Sequence, residues 1–166
     1  PSLPACAALI ILRHMELILI SGLSASGKSV AFHLLEDAGY YCVDNLPVVM
    51  LTVLVRMLKE EGIGKVAVAI DARSGHGIEL LTDKLDLLEK EQTRVTFIFL
   101  HANPETLLKR YSESRRRHPL AAHGQTLDEA IRAESQLLEP ISGLGHRIDT
   151  SNLKANALRE WIRQFI

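Results

Sequence analysis

Gly22-Leu23-Ser24-Ala25-Ser26-Gly27-Lys28-Ser29 matches G-x-x-x-x-G-K-[ST] at every fixed position, the pattern of a phosphate-binding loop. Its surroundings agree with that reading. The apolar run 17–20 reads as a buried strand leading into the loop, and Val30, Leu34, Leu35 and Ala38 follow at helical spacing. A phosphate loop needs a strand before it and a helix after it, and both are legible here.

Each residue type has a physical task. Gly22 and Gly27 let the backbone take up positive φ, so that successive N–H groups point at one anion, and the positive end of the following helix adds to the attraction. Leu23, Ser24, Ala25 and Ser26 form the cradle between them. Lys28 is expected to bridge the β- and γ-phosphates and to be the main catalytic cation, with the Ser29 hydroxyl on Mg²⁺.

A chain of 166 residues is one domain by size, able to bury about two-thirds of the surface its unfolded form exposes. A formal net charge of −1 supplies no global attraction for nucleic acid, so any RNA contact must come from a local patch. Cys6 and Cys42 form neither a disulfide framework nor a metal-ligand spacing; Cys42 falls in an apolar strand, and the usage points to a reducing cytoplasm. Residues 1–14 contain an apolar run at 7–12 but lack a basic leading region, a cleavage site and the length to span a membrane. They are expected to be an upstream extension, native or added for expression, before a single domain at 15–166.

From Met15 onward strand and helix patterns alternate. Strands are predicted at 17–20, 40–43, 66–70, 95–100 and 147–149. Gly39 ends the loop helix. A second helix opens at Pro47 with Leu51, Leu54, Val55 and Leu58 on one face, and a third at 78–91 carries Leu81, Leu85 and Leu88. Asn103-Pro104-Glu105 caps a fourth through Leu107, Leu108 and Tyr111, and the capping box Thr126-Leu127-Asp128-Glu129 starts a fifth. The last carries Leu153, Ala157, Leu158, Trp161, Ile162 and Phe165 and runs to the end of the chain. The fourth strand does not alternate, as befits one covered on both faces. The succession predicts an α/β P-loop NTPase of kinase-like, three-layer architecture with a mainly parallel central sheet.

Ligands of open α/β sheets lie beyond the carboxyl ends of the strands, so the residues there are the site candidates. Asp71 ends the run 66–70 and is placed to hold Mg²⁺ or its bound water, making it a catalytic and metal-ligating candidate. Asp44, with Asn45, ends the second strand; it either faces an acceptor or a Mg²⁺-bound water as a catalytic group, or forms an Asx turn ahead of Pro47. Arg73 either reaches phosphate or is a solvated loop arginine. Lys109, Arg110, Arg115, Arg116, Arg117 and His118 form a basic cluster leading into a loop. Its arginines suit a lid over a phosphoryl group, an RNA-contacting patch or a solvated helix end, while Lys109 and Arg110 need no special role. His118 and His123 have no third partner for zinc.

These residues bring a family into view. The phosphate loop, then 35–47 with its Cys42-Val43-Asp44-Asn45-Leu46-Pro47 string, Arg110-Tyr111-Ser112, Arg115-Arg116 with His118-Pro119-Leu120, Glu134-Ser135 with Leu137-Leu138-Glu139-Pro140, and Asp149-Thr150-Ser151 closely resemble the N-terminal domain of the RapZ/YvcJ nucleotide-binding proteins over residues 15–166. The resemblance implies ATP binding at Gly22 to Ser29 and GTP binding at Asp71-Ala72-Arg73-Ser74. For the proteobacterial branch it implies an RNase adapter, an RNA-binding protein that presents a small regulatory RNA to RNase E and so controls amino-sugar synthesis. Ala25 stands where that branch usually has Gly, and Ser74 where it has Asn. The C-terminal domain, associated in the family with RNA and amino-sugar phosphate, is absent from this sequence.

Two function classes follow. One is a regulatory ATP/GTP-binding module, at most a slow NTPase, with Arg115 and Arg116 at its nucleotide and weak RNA binding of its own. The other is a small-molecule kinase of shikimate-kinase-like type. The Asn-Lys-x-Asp string of guanine readers does not occur. An exposed closing helix would give a homo-oligomer its pairing surface.

Overall fold

The computed structural model describes residues 14–74, 77–122 and 124–166. The extension ahead of His14, Cys6 and His123 lie outside the described residues.

The sheet holds β1 (Met15–Gly22), β2 (Tyr41–Val43), β3 (Lys65–Ala69), β4 (Thr93–His101) and β5 (His146–Asp149) in the order β2-β3-β1-β4-β5, every pairing parallel. The helices are α1 (Lys28–Asp37), α2 (Leu51–Glu60), α3 (Leu81–Lys90), α4 (Pro104–Ser114), α5 (Leu127–Leu138) and α6 (Ala155–Arg163). Successive side chains of a strand point to opposite faces, and β1 sends both sets into apolar layers. Leu17 and Leu19 join residues of α2, α3, α4 and α5, whereas Ile18 and Ile20 join Ala31, Leu34 and Leu35 of α1 and Leu158 and Ile162 of α6. This is the three-layer α/β arrangement, and it explains why 17–20 reads as a continuous apolar run.

Central placement of β1 positions the loop. With β3 on one side and β4 on the other, the carboxyl end of β1 opens between the ends of two neighbouring strands, the crevice where this architecture receives ligands.

Element ends shift for local reasons. β4 starts two residues earlier than its apolar run because it pairs with β1 from Met15 opposite Thr93 to Gly22 opposite Leu100. β2 loses Tyr40, whose N–H closes the end of α1 on the Leu35 carbonyl at 3.0 Å. The predicted helices at Pro47 and at 78–91 open with 3₁₀ turns, Val48–Met50 and Ile78–Leu80. α6 closes at Arg163, short of Ile166, and Trp161 lies at the margin of its buried face, half exposed. Both caps form as their sequences require. Asn103 accepts from the Thr106 N–H at 2.8 Å, and Thr126 and Glu129 bond reciprocally. No described helix is long and apolar enough to cross a membrane.

Candidate functional site

Gly22 ends β1 at φ +144°, where a Cβ would stand 2.1 Å from the Leu100 carbonyl oxygen. Only glycine fits so close to the neighbouring strand. Gly27 caps α1 at φ +111°, and Ala25 between them takes φ +63°, a left-handed conformation that a side chain opposes. Ser26 donates its N–H to the Leu23 carbonyl, but among the described residues the N–H groups of Ala25, Gly27, Lys28 and Ser29 meet no acceptor. Four unpaired donors beside the positive end of a ten-residue helix make a cradle fitted to an anion.

The Lys28 ammonium is folded across this cradle, donating to the carbonyls of Gly22 and Leu23, the latter at 3.1 Å. Burial lowers its pKa; Glu134, Asp71 and Asp44 act the other way, and Arg73 with the burial. The exposed Ser29 side chain makes no hydrogen bond among the described residues, which leaves its hydroxyl free for a cation. No group of three His, Cys, Asp or Glu that would hold a metal by itself occurs among the described residues. A hydroxyl and a carboxylate suit Mg²⁺, which takes most of its oxygen ligands from phosphate and water.

A cleft of about 970 Å³ runs from the loop past the ends of β2 and β3 to α4. Ser24, Ala25, Gly27, Lys28 and Ser29 line it, as do Asp44, Asp71, Arg73 and Arg116. Gly22, Leu23 and Ser26 support the loop from beneath, with Leu23 and Ser26 buried. Asp71 is buried at the exit of β3 and accepts from the Arg73 N–H at 2.8 Å, Nε at 3.0 Å and Nη2 at 2.6 Å. Arg73 is thus a partner of Asp71 at the cleft wall rather than a loose loop arginine. Ala72 is buried and Ser74 donates its hydroxyl to the Leu46 carbonyl at 3.1 Å, so neither lines the cleft. Asp44 is exposed and makes no Asx-turn bond among the described residues; the chain turns instead at Asn45, φ +53°. Arg115 caps α4 in a left-handed conformation and is not part of the cleft lining, to which Arg116 and Arg117 belong. Cys42 also lines the cleft half-buried, and burial, then Glu36, push its thiol up to about 11.

Residues given no task by the sequence hold the loop in place. Arg110, read there as needing no special role, donates Nη1 to the Ala25 carbonyl at 2.9 Å and Nη2 to the Thr150 carbonyl at 2.6 Å. Thr150 donates its hydroxyl to the Ser26 carbonyl at 2.6 Å. Glu134 accepts on Oε1 from both the N–H and the hydroxyl of Ser24, at 2.8 and 2.7 Å. Its Oε2 lies 2.6 Å from His118 Nε2, and both side chains are buried. His118 Nδ1 accepts from the Leu120 N–H at 3.0 Å, and the Tyr111 ring lies 5.3 Å away, centroid to centroid. One signal for Glu134 was present in the sequence: a carboxylate at the helical spacing of the buried Ala130, Ile131 and Leu138. Nothing local marks Arg110 or Thr150, which reach the loop across 85 and 124 residues.

Comparisons with known proteins agree with this architecture. The chain is 77% identical over 152 residues to a nucleotide-binding protein of Dechloromonas aromatica (strain RCB), a match covering 92% of this chain and 54% of that protein. It spans about half the length of the curated relatives it matches. Among solved structures, the Deinococcus radiodurans tunicamycin resistance protein superimposes with TM-score 0.64 at 15% identity, covering 91% of this chain and 95% of that one. Shikimate kinase from Acinetobacter baumannii, in complex with shikimate, does so with TM-score 0.58 at 15% identity over 93% of this chain and 94% of its own. At such identity the likeness shows the fold alone, a P-loop kinase architecture. Residues 15–166 match the model of the RapZ-like N-terminal domain, and the chain belongs to that family.

Proposed function

We propose that residues 15–166 form a regulatory nucleotide-binding module that takes a Mg²⁺-bound purine nucleoside triphosphate, ATP or GTP, on the loop Gly22 to Ser29. The observation that carries this reading is the set of four N–H groups, at Ala25, Gly27, Lys28 and Ser29, that have no acceptor among the described residues, with the Lys28 ammonium enclosed beside them. Lys28 supplies the phosphate charge, Ser29 and Asp71 hold the cation, and Arg73 and Arg116 stand at the cleft wall for the remaining phosphate charge. Mg²⁺ would neutralise the phosphates and fix their geometry. The relatives' name, nucleotide-binding protein, supports the reading.

Hydrolysis by such a module is slow, because sensing rests on differential affinity between states. In the longer protein the module belongs to a cytoplasmic RNase adapter that presents a small regulatory RNA to RNase E and controls amino-sugar synthesis. Family membership supports this role, and the RNA surface is assigned chiefly to the C-terminal half.

Titration of Mg-ATP and Mg-GTP into the wild-type chain and Lys28→Ala tests the site. Removing a charge-assisted contact of about 1.5–3 kcal/mol should weaken binding at least about tenfold in a variant whose circular dichroism is unchanged. Equal affinity in the folded variant refutes the loop as the site. Acceptor-dependent ADP formation at roughly 1 s⁻¹ or faster would instead identify a small-molecule kinase.

A further inference from the structure

Glu134 is bonded to the phosphate loop at Ser24, from a buried position behind the cleft lining. Its Oε1 accepts from the Ser24 N–H and hydroxyl, so a loop built to bind an anion already holds one, supplied by α5. Ser24 is at the end of the loop expected to face the terminal phosphate. A loop lysine of this kind reaches the β- and γ-phosphates, and Lys28 Nζ rests on the carbonyls of Gly22 and Leu23, next to Ser24. Of the acidic groups that act on the Lys28 ammonium, Glu134 acts most strongly.

Hydrogen bonding fixes the carboxylate from behind. His118 Nδ1 accepts the Leu120 N–H and so carries no proton, which leaves Nε2 to donate to Glu134 Oε2. A line of bonds therefore runs from the Leu120 backbone through His118 and Glu134 to Ser24. His118 directly follows Arg116 and Arg117, which line the cleft.

Resting on the nucleotide-binding reading, we propose that Glu134 is a specificity-determining residue that opposes the terminal phosphate, so that the resting module favours a nucleoside diphosphate. A diphosphate leaves the Ser24 end of the loop to Glu134. A triphosphate brings a further negative charge against a buried carboxylate and must displace it, and with it the His118 contact and the arginine segment. Occupancy of the third phosphate subsite is thereby communicated to Arg116 and Arg117.

The test measures affinities of Mg-ADP and of a non-hydrolysable Mg-ATP analogue by competition with a fluorescent ADP, in the wild-type chain and in Glu134→Gln. The neutral amide removes the opposing charge at nearly constant volume, and the triphosphate-to-diphosphate affinity ratio should rise about tenfold or more, the scale of a charge-assisted contact. In parallel, the His118 Nε2 proton of the wild-type chain is followed by NMR. It should persist unchanged with Mg-ADP and shift or vanish with the triphosphate analogue. Should Glu134→Gln not fold, this second measurement decides alone. An unmoved ratio in the folded variant, or a His118 signal indifferent to the triphosphate, overturns the proposal while nucleotide binding stands. Failure of the wild-type chain to bind either nucleotide overturns the binding reading and this one with it.

Discussion

Two loop positions, Gly22 and Ala25, should both disfavour a methyl group. At Gly22 a Cβ would lie 2.1 Å from the Leu100 carbonyl oxygen, a backbone atom locked in the β1–β4 pairing and unable to yield. Gly22→Ala combines this overlap with an unfavourable φ, and about 3 kcal/mol or more of stability should be lost in urea denaturation. Ala25 already carries a methyl in the left-handed region, at a cost of about 1–2 kcal/mol, whereas glycine there would add about 0.4–1 kcal/mol of unfolded-state entropy. The first effect is the larger, so Ala25→Gly should raise stability by roughly 0.5–1 kcal/mol. A lower denaturation midpoint for Ala25→Gly would contradict the φ of +63° assigned to Ala25.

At the scale of elements, α5 is held at one end by its capping box and along its buried face by the Glu134–His118 contact. Thr126→Ala removes one exposed cap, worth about 1 kcal/mol. His118→Ala removes a hydrogen bond to the buried Glu134 carboxylate, at a cost of about 1.5–3 kcal/mol. Denaturant midpoints should therefore fall further for His118→Ala; equal falls would mean that water replaces the imidazole. The two features also differ in how far the sequence showed them. The Thr126 cap was legible because its partners lie three residues apart. His118 and Glu134 meet across 16 residues, and the grip of Arg110 and Thr150 depends on β4 lying beside β1 and β5 beside β4, an order that the mere alternation of strands and helices does not specify. The phosphate loop and Asp71 were legible because a strand end and the residues just after it share one local pattern. Ala72 and Ser74 were placed by resemblance to a contiguous segment, but a 3₁₀ turn sends them away from the cleft that Asp71 and Arg73 line.

For the whole molecule, charge sets how RNA would be met. The net charge of −1 gives no long-range attraction, and the accessible cation run is Arg115, Arg116 and Arg117, all exposed at the end of α4. Tyr111, the aromatic nearest to that run in sequence, is buried against His118, so base stacking is not offered beside it. Binding by this chain should then consist of a few phosphate contacts. Each contact to a duplex stem contributes about 0.9 to the slope of log affinity against log salt, so three arginines give a slope no steeper than about −3. Titrating a stem-loop RNA at several salt concentrations should show that shallow slope, little preference over a scrambled stem-loop, and a slope moving toward zero when the three arginines are neutralised together. Arg116 and Arg117 also line the nucleotide cleft, so saturating Mg-ATP should weaken this RNA contact if the two ligands compete for the same guanidinium groups. Tight, sequence-selective binding by residues 15–166 alone would refute this phosphate-only reading and place RNA recognition in this domain.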